Sequence, residues 1–262
     1  MLKQHANISE RHRQQVENSR TYVLPFVEEI FPVEKGMYLL EVGCDAGGVL
    51  EPFMDKGAKV VGVDLRSGAI ERAKALYAEA VQQGRADFRV KNVYDADFVE
   101  EFEGGLDLIL LKDTIEHIPE QEKMIPHLKR LLRPGGKIFF GFPPWYMPFG
   151  GHQQICQKKL LSTLPYYHLL PRGLYKGILK AGGENETVVR SLMEIKDTGI
   201  SIERFERIIG NSGLEIQHKT HFLINPIYLY KFGWKPKEQA KWVSGIPFIR
   251  NFVTTCVWYV VG

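Results

Sequence analysis

The chain has 262 residues, 44% of them hydrophobic, which is enough to bury one α/β domain with added elements. Its net charge is +3 and it lacks the clustered Lys/Arg stripe of a nucleic-acid-reading protein. Three cysteines, Cys44, Cys156 and Cys256, are too scattered for a metal spacing or a disulfide framework, which fits a reducing compartment. The opening MLKQHANISERHRQQVENSR has no apolar signal core. The longest apolar run, FVTTCVWYVVG, is about half of a spanning helix. These features predict a soluble, cytoplasmic protein with no transmembrane segment.

Residues 9–31 place Val16, Tyr22, Val23, Phe26, Val27 and Ile30 at helical spacing and predict a helix. MYLLEVG (37–43) reads as a buried strand, followed by a helix over GGVLEPFMDKG closed by Gly57. A second strand spans 58–65. The helix after it is expected to be capped by Ser67 and stopped at Gly84. A third strand (86–93), a short helix, a fourth strand (106–113), a helix ended by Pro134-Gly135-Gly136 and a fifth strand (137–143) follow. Strict alternation means a parallel sheet with right-handed crossovers. From 144 to 200 no period is clean, and the segment reads as an insertion, a lid. A helix over SIERFERIIGNSG, a strand over LEIQHKTHFL, an aromatic stretch (225–250) and a β-rich run (252–261) complete the chain. The expected fold is thus Rossmann-like α/β: a seven-stranded, mostly parallel sheet with helices on both faces, its last strand entering from the edge. Three parts are expected: a core over 1–143, the insertion over 144–200, and a C-terminal part of the sheet over 201–262.

The loop after the first strand, Gly43-Cys44-Asp45-Ala46-Gly47-Gly48, lies where strand order switches and a helix N-terminus offers free N–H groups. Gly43 and Gly47 let backbone approach a ligand. Asp45 breaks the G-x-G-x-x-G dinucleotide spacing, but Asp tolerates positive φ. Asp64 ends strand two, where a carboxylate accepts hydrogen bonds from ribose hydroxyls, although a surface or capping role fits the same position. Asn92 and Val93 end strand three, suited to an adenine edge or to a simple turn.

LLEVGCDAGG, VVGVDL, LDLILLKDTIEHI and LKRLLRPGGKIFFGFPP, in that order, resemble the successive motifs of class I S-adenosylmethionine-dependent methyltransferases. The resemblance covers residues 20–145 well, and 200–222 with the last strand more loosely. It implies S-adenosylmethionine as cofactor. Glu41, Gly43 and Gly47 would line its methionine and ribose part, with Cys44 and Asp45 in the same loop. Asp64 would hold the ribose hydroxyls with Leu65 beside it, and Asn92 and Val93 would flank the adenine. Lys112 and Asp113 would begin the loop facing the methyl group. Two departures stand out: Asp45 replaces the usual middle glycine, and Asn92 stands where many members carry Asp.

Methyl transfer from a sulfonium is an in-line displacement that needs alignment, with a general base only for a neutral hydroxyl acceptor. His152, in PFGGHQQ beyond strand five, and Asp113 are the candidate catalytic residues. Asp113, Glu116 and His117, with His152 nearby, form an acid-x-x-Glu-His pattern similar to that of ubiquinone-pathway and small-RNA methyltransferases that bind a divalent metal. Many other members keep Glu-His without a metal, helix capping is the favoured reading of the pattern, and no metal is assigned. Trp145, Tyr146, Met147, Phe149 and the run PYYHLL suit an acceptor pocket or an ordinary core.

The expectation is a methyltransferase acting on a small, partly apolar acceptor at oxygen, with a homodimer or a lipid-like acceptor compatible with the apolar C-terminal third. The alternatives are a nucleic-acid or protein methyltransferase, an NAD-dependent dehydrogenase, and a catalytically silent cofactor-binding module.

Overall fold

The computed structural model describes residues 8–262. Residues 1–7, which begin the polar opening, lie outside them. Helix α1 (Ile8–Asn18) passes through one π turn (Ser19–Val23) into α2 (Leu24–Glu28), so the helix expected over 9–31 ends three residues early, in a turn. The parallel strands are β1 (Tyr38–Val42), β2 (Lys59–Asp64), β3 (Ala86–Val90), β4 (Leu106–Lys112) and β5 (Leu132–Phe142). Their helices are α3 (Glu51–Asp55), α4 (Ser67–Leu76), α5 (Ala78–Gln82), α6 (Ala96–Phe102) and α7 (Gln121–Leu131).

Successive side chains of a strand face opposite sides of the sheet, so runs that are apolar throughout need cover on both. Leu39, Leu108, Leu110, Phe139 and Trp258 face a layer containing α2, α3 and α4. Leu40, Ile109, Leu111, Phe140 and Tyr259 face α6, α7 and the later α11 (Ile202–Asn211).

Several boundaries differ from the sequence reading. The single helix expected over 67–84 breaks at Tyr77, whose ring stacks on Phe88 at 5.7 Å and whose hydroxyl bonds His12 and Glu51. Those tertiary contacts outweigh local helix preference. Arg66, not Ser67, is the N-cap, in extended conformation and without a side-chain cap. Pro134-Gly135-Gly136 lies inside β5, because the β4–β5 register shifts between Leu106 and Leu108 and the irregularity absorbs these residues.

The sheet has eight strands, not seven, in the order β3-β2-β1-β4-β5-β8-β6-β7. The extra strand, β7 (Lys237–Glu238), is two residues long, too short to carry a periodic signal. The last strand, β8 (Cys256–Val261), lies antiparallel between β5 and β6 (Ile216–Ile224) rather than at the margin, and all six of its residues are buried.

The segment 144–200 is more ordered than its composition suggests. It forms α8 (Lys159–Thr163), α9 (Arg172–Ala181) and α10 (Glu186–Thr198), with Asn185 capping α10 through Val188 N–H. Cys156, Leu161, Tyr167, Tyr175, Leu179 and Leu192 are part of a separate small core there. Past β6 come α12 (Ile227–Phe232), α13 (Lys241–Ser244) and α14 (Ile249–Phe252). Phe142 pairs with Val257 and Phe222 with Cys256, so both insertions leave the sheet at the carboxyl edge of the parallel strands. Among the described residues no helix is long and apolar enough to cross a membrane.

Candidate active site

Strand order reverses between β1 and β4, and the crevice of such a sheet opens there. The β1 loop is tied to β2 by Gly43 and Cys44 N–H groups donating to Val63 O at 2.8 and 3.0 Å. Gly43, Asp45 and Gly47 all take positive φ (73°, 47°, 78°), so Asp45 accepts the conformation a glycine would adopt freely. A Cβ on Gly43 would meet the Thr114 side chain at 2.7 Å. The β1 and β4 loops therefore touch, and only glycine fits between them.

Asp64 closes the crevice's second wall. It is 7% exposed and accepts from Asp45 N–H at 3.1 Å, Arg66 N–H at 2.9 Å and the Arg66 guanidinium at 2.9 Å. Burial works against its charge, but these donors prevail and hold its pKa below the usual range. The Asp45 carboxylate meets Arg11 at 2.7 Å, Arg66 at 3.3 Å and Arg72 at 3.6 Å. Arg11, His12 and Gln15 of α1 complete a small cavity over the loop.

The other expected cofactor residues divide. Glu41 is buried, its Oε2 has no hydrogen-bond partner among the described residues, and burial pushes its pKa well up. Leu65 is apolar yet 71% exposed beside Asp64, which suits a flat ring. Cys44 turns its side chain into the core against Gly62, leaving only backbone for a ligand. The Asn92 side chain is committed to a turn, accepting from Tyr94 N–H at 3.1 Å, while Val93 is buried and its carbonyl meets His127 Nε2 at 2.8 Å. Paired glycines, an orphaned buried carboxyl and a strand-end Asp form a donor set that fits an adenosyl cofactor with an amino-acid tail.

Beyond β4 the chain turns sharply at Asp113, whose φ is 53° and whose N–H donates to Gly141 O at 2.6 Å. Buried Lys112 reaches the Asp113 carboxylate at 2.6 Å. Burial opposes the Asp113 charge, yet Lys112 wins and lowers its pKa. Glu116 is 2% exposed and neither carboxyl oxygen has a hydrogen-bond partner among the described residues. Burial first, then Asp113, pushes its pKa well above the usual carboxyl range. His152 Nε2 stands 3.9 Å and His117 Nε2 4.0 Å from Glu116 Oε1, and the two imidazole rings meet edge to face at 4.9 Å. Burial lowers both histidines, His152 to about 3, so both are neutral near pH 7. One ligand atom from each of Glu116, His117 and His152 lies within 4.8 Å of the others. Once Glu116 gives up its proton, a carboxylate with two neutral imidazoles suits a divalent cation. Of the expected grouping, Glu116 and His117 come together with His152, which was expected nearby, while Asp113 is not among the three.

Several contributors carry no signal in sequence spacing. Thr198, ending α10, donates its hydroxyl to Glu116 O at 2.6 Å, and Gln121 donates to Ile115 O at 3.1 Å. The insertion thereby braces the turn that carries Glu116. Tyr228 and Lys231 of α12 face Asp113, and burial raises the first and lowers the second.

The model of a family described as "Methyltransferase domain" matches residues 11–150. An enzyme called ubiquinone biosynthesis O-methyltransferase from Paracidovorax citrulli is 29% identical over 117 residues, 45% of this chain and 48% of that one. A protein of the same name from Nitrobacter winogradskyi is 38% identical over 103 residues, 39% of this chain and 37% of that one. The chain thus spans about half the length, or less, of these curated relatives. A geranyl diphosphate methyltransferase solved in complex with SAM has the same fold, with a TM-score of 0.59 at 17% identity, covering 97% of this chain and 87% of that one. With the family model spanning more than half of the residues and the crevice built as described, the chain belongs to the class I S-adenosylmethionine-dependent methyltransferases.

Proposed function

We propose that the protein transfers a methyl group from S-adenosylmethionine to an oxygen of a small, partly apolar acceptor. The bound donor would supply an electrophilic methyl on a sulfonium, already a good leaving group. The chain's own task is then binding, alignment and exclusion of water. In this reading Gly43, Gly47, Glu41 and Asp64 hold the donor. Arg66 must withdraw from Asp64 for ribose hydroxyls to replace it. Glu116, His117 and His152 form the acceptor end. His152, neutral near pH 7, receives the acceptor hydroxyl's hydrogen bond and orients it; as the oxygen–methyl bond forms and the sulfur–methyl bond breaks, the hydroxyl proton passes through His152 to solvent and neutral S-adenosylhomocysteine leaves. In place of that hydrogen bond, the three side chains would hold a divalent cation, which would lower the pKa of an acceptor hydroxyl. The segment 144–200 serves as the lid. The acceptor is a small molecule, not a nucleic acid, and the protein works in the cytoplasm.

One observation carries the proposal: Glu116, buried with both oxygens unpartnered among the described residues, sits beside two neutral imidazoles on the loop whose Thr114 packs against Gly43. The O-methyltransferase names of the curated relatives support oxygen as the acceptor atom. The test is calorimetric titration with S-adenosylhomocysteine and with NADH. Turnover then follows on hydroxyl-bearing acceptors with and without an apolar tail, read by mass spectrometry of the methylated product. NADH binding without S-adenosylhomocysteine binding would favour a dehydrogenase. Cofactor binding with no product from any acceptor would favour a silent binding module.

A further inference from the structure

The two segments that leave the carboxyl edge of the sheet share a composition that the rest of the chain lacks. Residues 144–183 contain five basic residues and no acidic one. Residues 225–253 contain five basic residues and one acidic. The whole chain is only +3, so the remainder is net acidic.

The same two segments display apolar side chains to solvent. Trp242 is 74% and Leu160 73% exposed, and Trp234, Phe248, Ile249 and Leu174 are each more than half exposed. Isolated exposed apolar residues are ordinary, but bulky ones concentrated in two segments that leave the same sheet edge mark an interaction surface. They are joined structurally: Tyr146 packs on Phe248 at 5.3 Å and on Phe252 at 5.5 Å, and the Tyr166 hydroxyl donates to Phe252 O at 3.0 Å. The first insertion and the second thus meet in one aromatic cluster. Exposed Lys158 and Lys159 adjoin Leu160, Lys176 lies two residues after Leu174, and Lys235, Lys237 and Lys241 lie between Trp234 and Trp242. Among the described residues no salt bridge involves these six lysines.

We propose that this edge is a docking surface for an anionic phospholipid bilayer, with Trp242, Trp234, Phe248, Ile249 and Leu160 entering the headgroup region and the flanking lysines meeting lipid phosphates. Tryptophan favours the membrane interface, and a basic, apolar surface with no spanning helix is the physical signature of peripheral binding. A second copy of the chain fits less well, because two such edges would oppose positive charges. Docking there would turn the acceptor end of the crevice towards the membrane, since both insertions arise at the edge that carries Glu116 and His152.

The experiment needs neither donor nor acceptor, so its outcome is independent of the proposed reaction. The intact protein is sedimented with phosphatidylcholine vesicles, with and without phosphatidylglycerol. Tryptophan fluorescence is followed with brominated phosphatidylcholine as quencher. Binding is expected on the phosphatidylglycerol vesicles, falling steeply with added salt. Trp242→Ala is expected to weaken it about tenfold, and Lys241→Glu about fivefold or more. Quenching should fall in Trp242→Phe. Both Trp242 and Lys241 are exposed, so thermal melts should match the parent's. No binding, equal binding to neutral vesicles, or binding untouched by Trp242→Ala and Lys241→Glu overturns the proposal. So does a dimer in sedimentation velocity that Trp242→Ala dissociates while vesicle binding is absent.

Discussion

Replacing Glu116 by Gln should make the protein more stable and catalytically poor. The Glu116 carboxyl is buried with neither oxygen hydrogen-bonded among the described residues, and burial raises its pKa well above the ordinary value. In the unfolded chain it ionises near pH 4.3, or about that. Above that pH the unfolded state releases a proton that the folded state retains, so wild-type stability falls as pH rises towards the folded-state pKa. The neutral amide of Gln has no such dependence. The two proteins should therefore be alike below about pH 4 and diverge above it. Each unit by which the folded-state pKa lies above the unfolded one adds about 1.4 kcal/mol to the difference, or about 3–6 °C in Tm for a chain of this size. The assay is thermal unfolding from pH 4 to pH 8 in chelator. Adding Mg²⁺ or Mn²⁺ should then stabilise the wild type alone, by about 2.7 kcal/mol at a hundredfold excess over Kd. Methyl transfer should fall on the order of 10²-fold in the variant, with S-adenosylhomocysteine affinity kept. A variant less stable than wild type at pH 8 in chelator, or one with an unchanged rate, would refute this account of Glu116.

Gly43→Ala should lose about 2–4 kcal/mol of stability and most cofactor affinity, because the new Cβ meets Thr114 at 2.7 Å with φ at 73°; denaturant melts and calorimetry check both. Arg66→Ala should bind S-adenosylhomocysteine several-fold more tightly, since Asp64 would no longer be held by the guanidinium at 2.9 Å; weaker binding would show that Arg66 itself contacts the ligand. Thr198→Val removes the bond to Glu116 O at 2.6 Å and should lower kcat about tenfold while costing about 1 kcal/mol, with cofactor affinity unchanged in titration.

What the sequence shows and what it hides follow from where the information lies. The loop, Asp64 and the five alternating strands are local features: a glycine, a strand-end carboxylate and an apolar run each announce themselves within a few residues. Asp45 was legible as a tolerated departure because positive φ is a property of residue type, and it is found at 47°. The position of β8 was not legible, because its six residues read as a buried strand wherever it lies; only pairing with both β5 and β6 makes it internal. The acceptor end was half legible. Glu116 and His117 are neighbours in sequence, but His152 joins them only because β4 and β5 run side by side and their following loops converge. Thr198 reaches Glu116 across 82 residues, and no spacing rule spans that distance. The ion pairs of Asp45 with Arg11, Arg66 and Arg72 carry the same lesson for the cofactor end. A residue that looked like a weakened glycine loop is also the anchor that draws α1 over the crevice, so sequence departure and structural gain occur at one position.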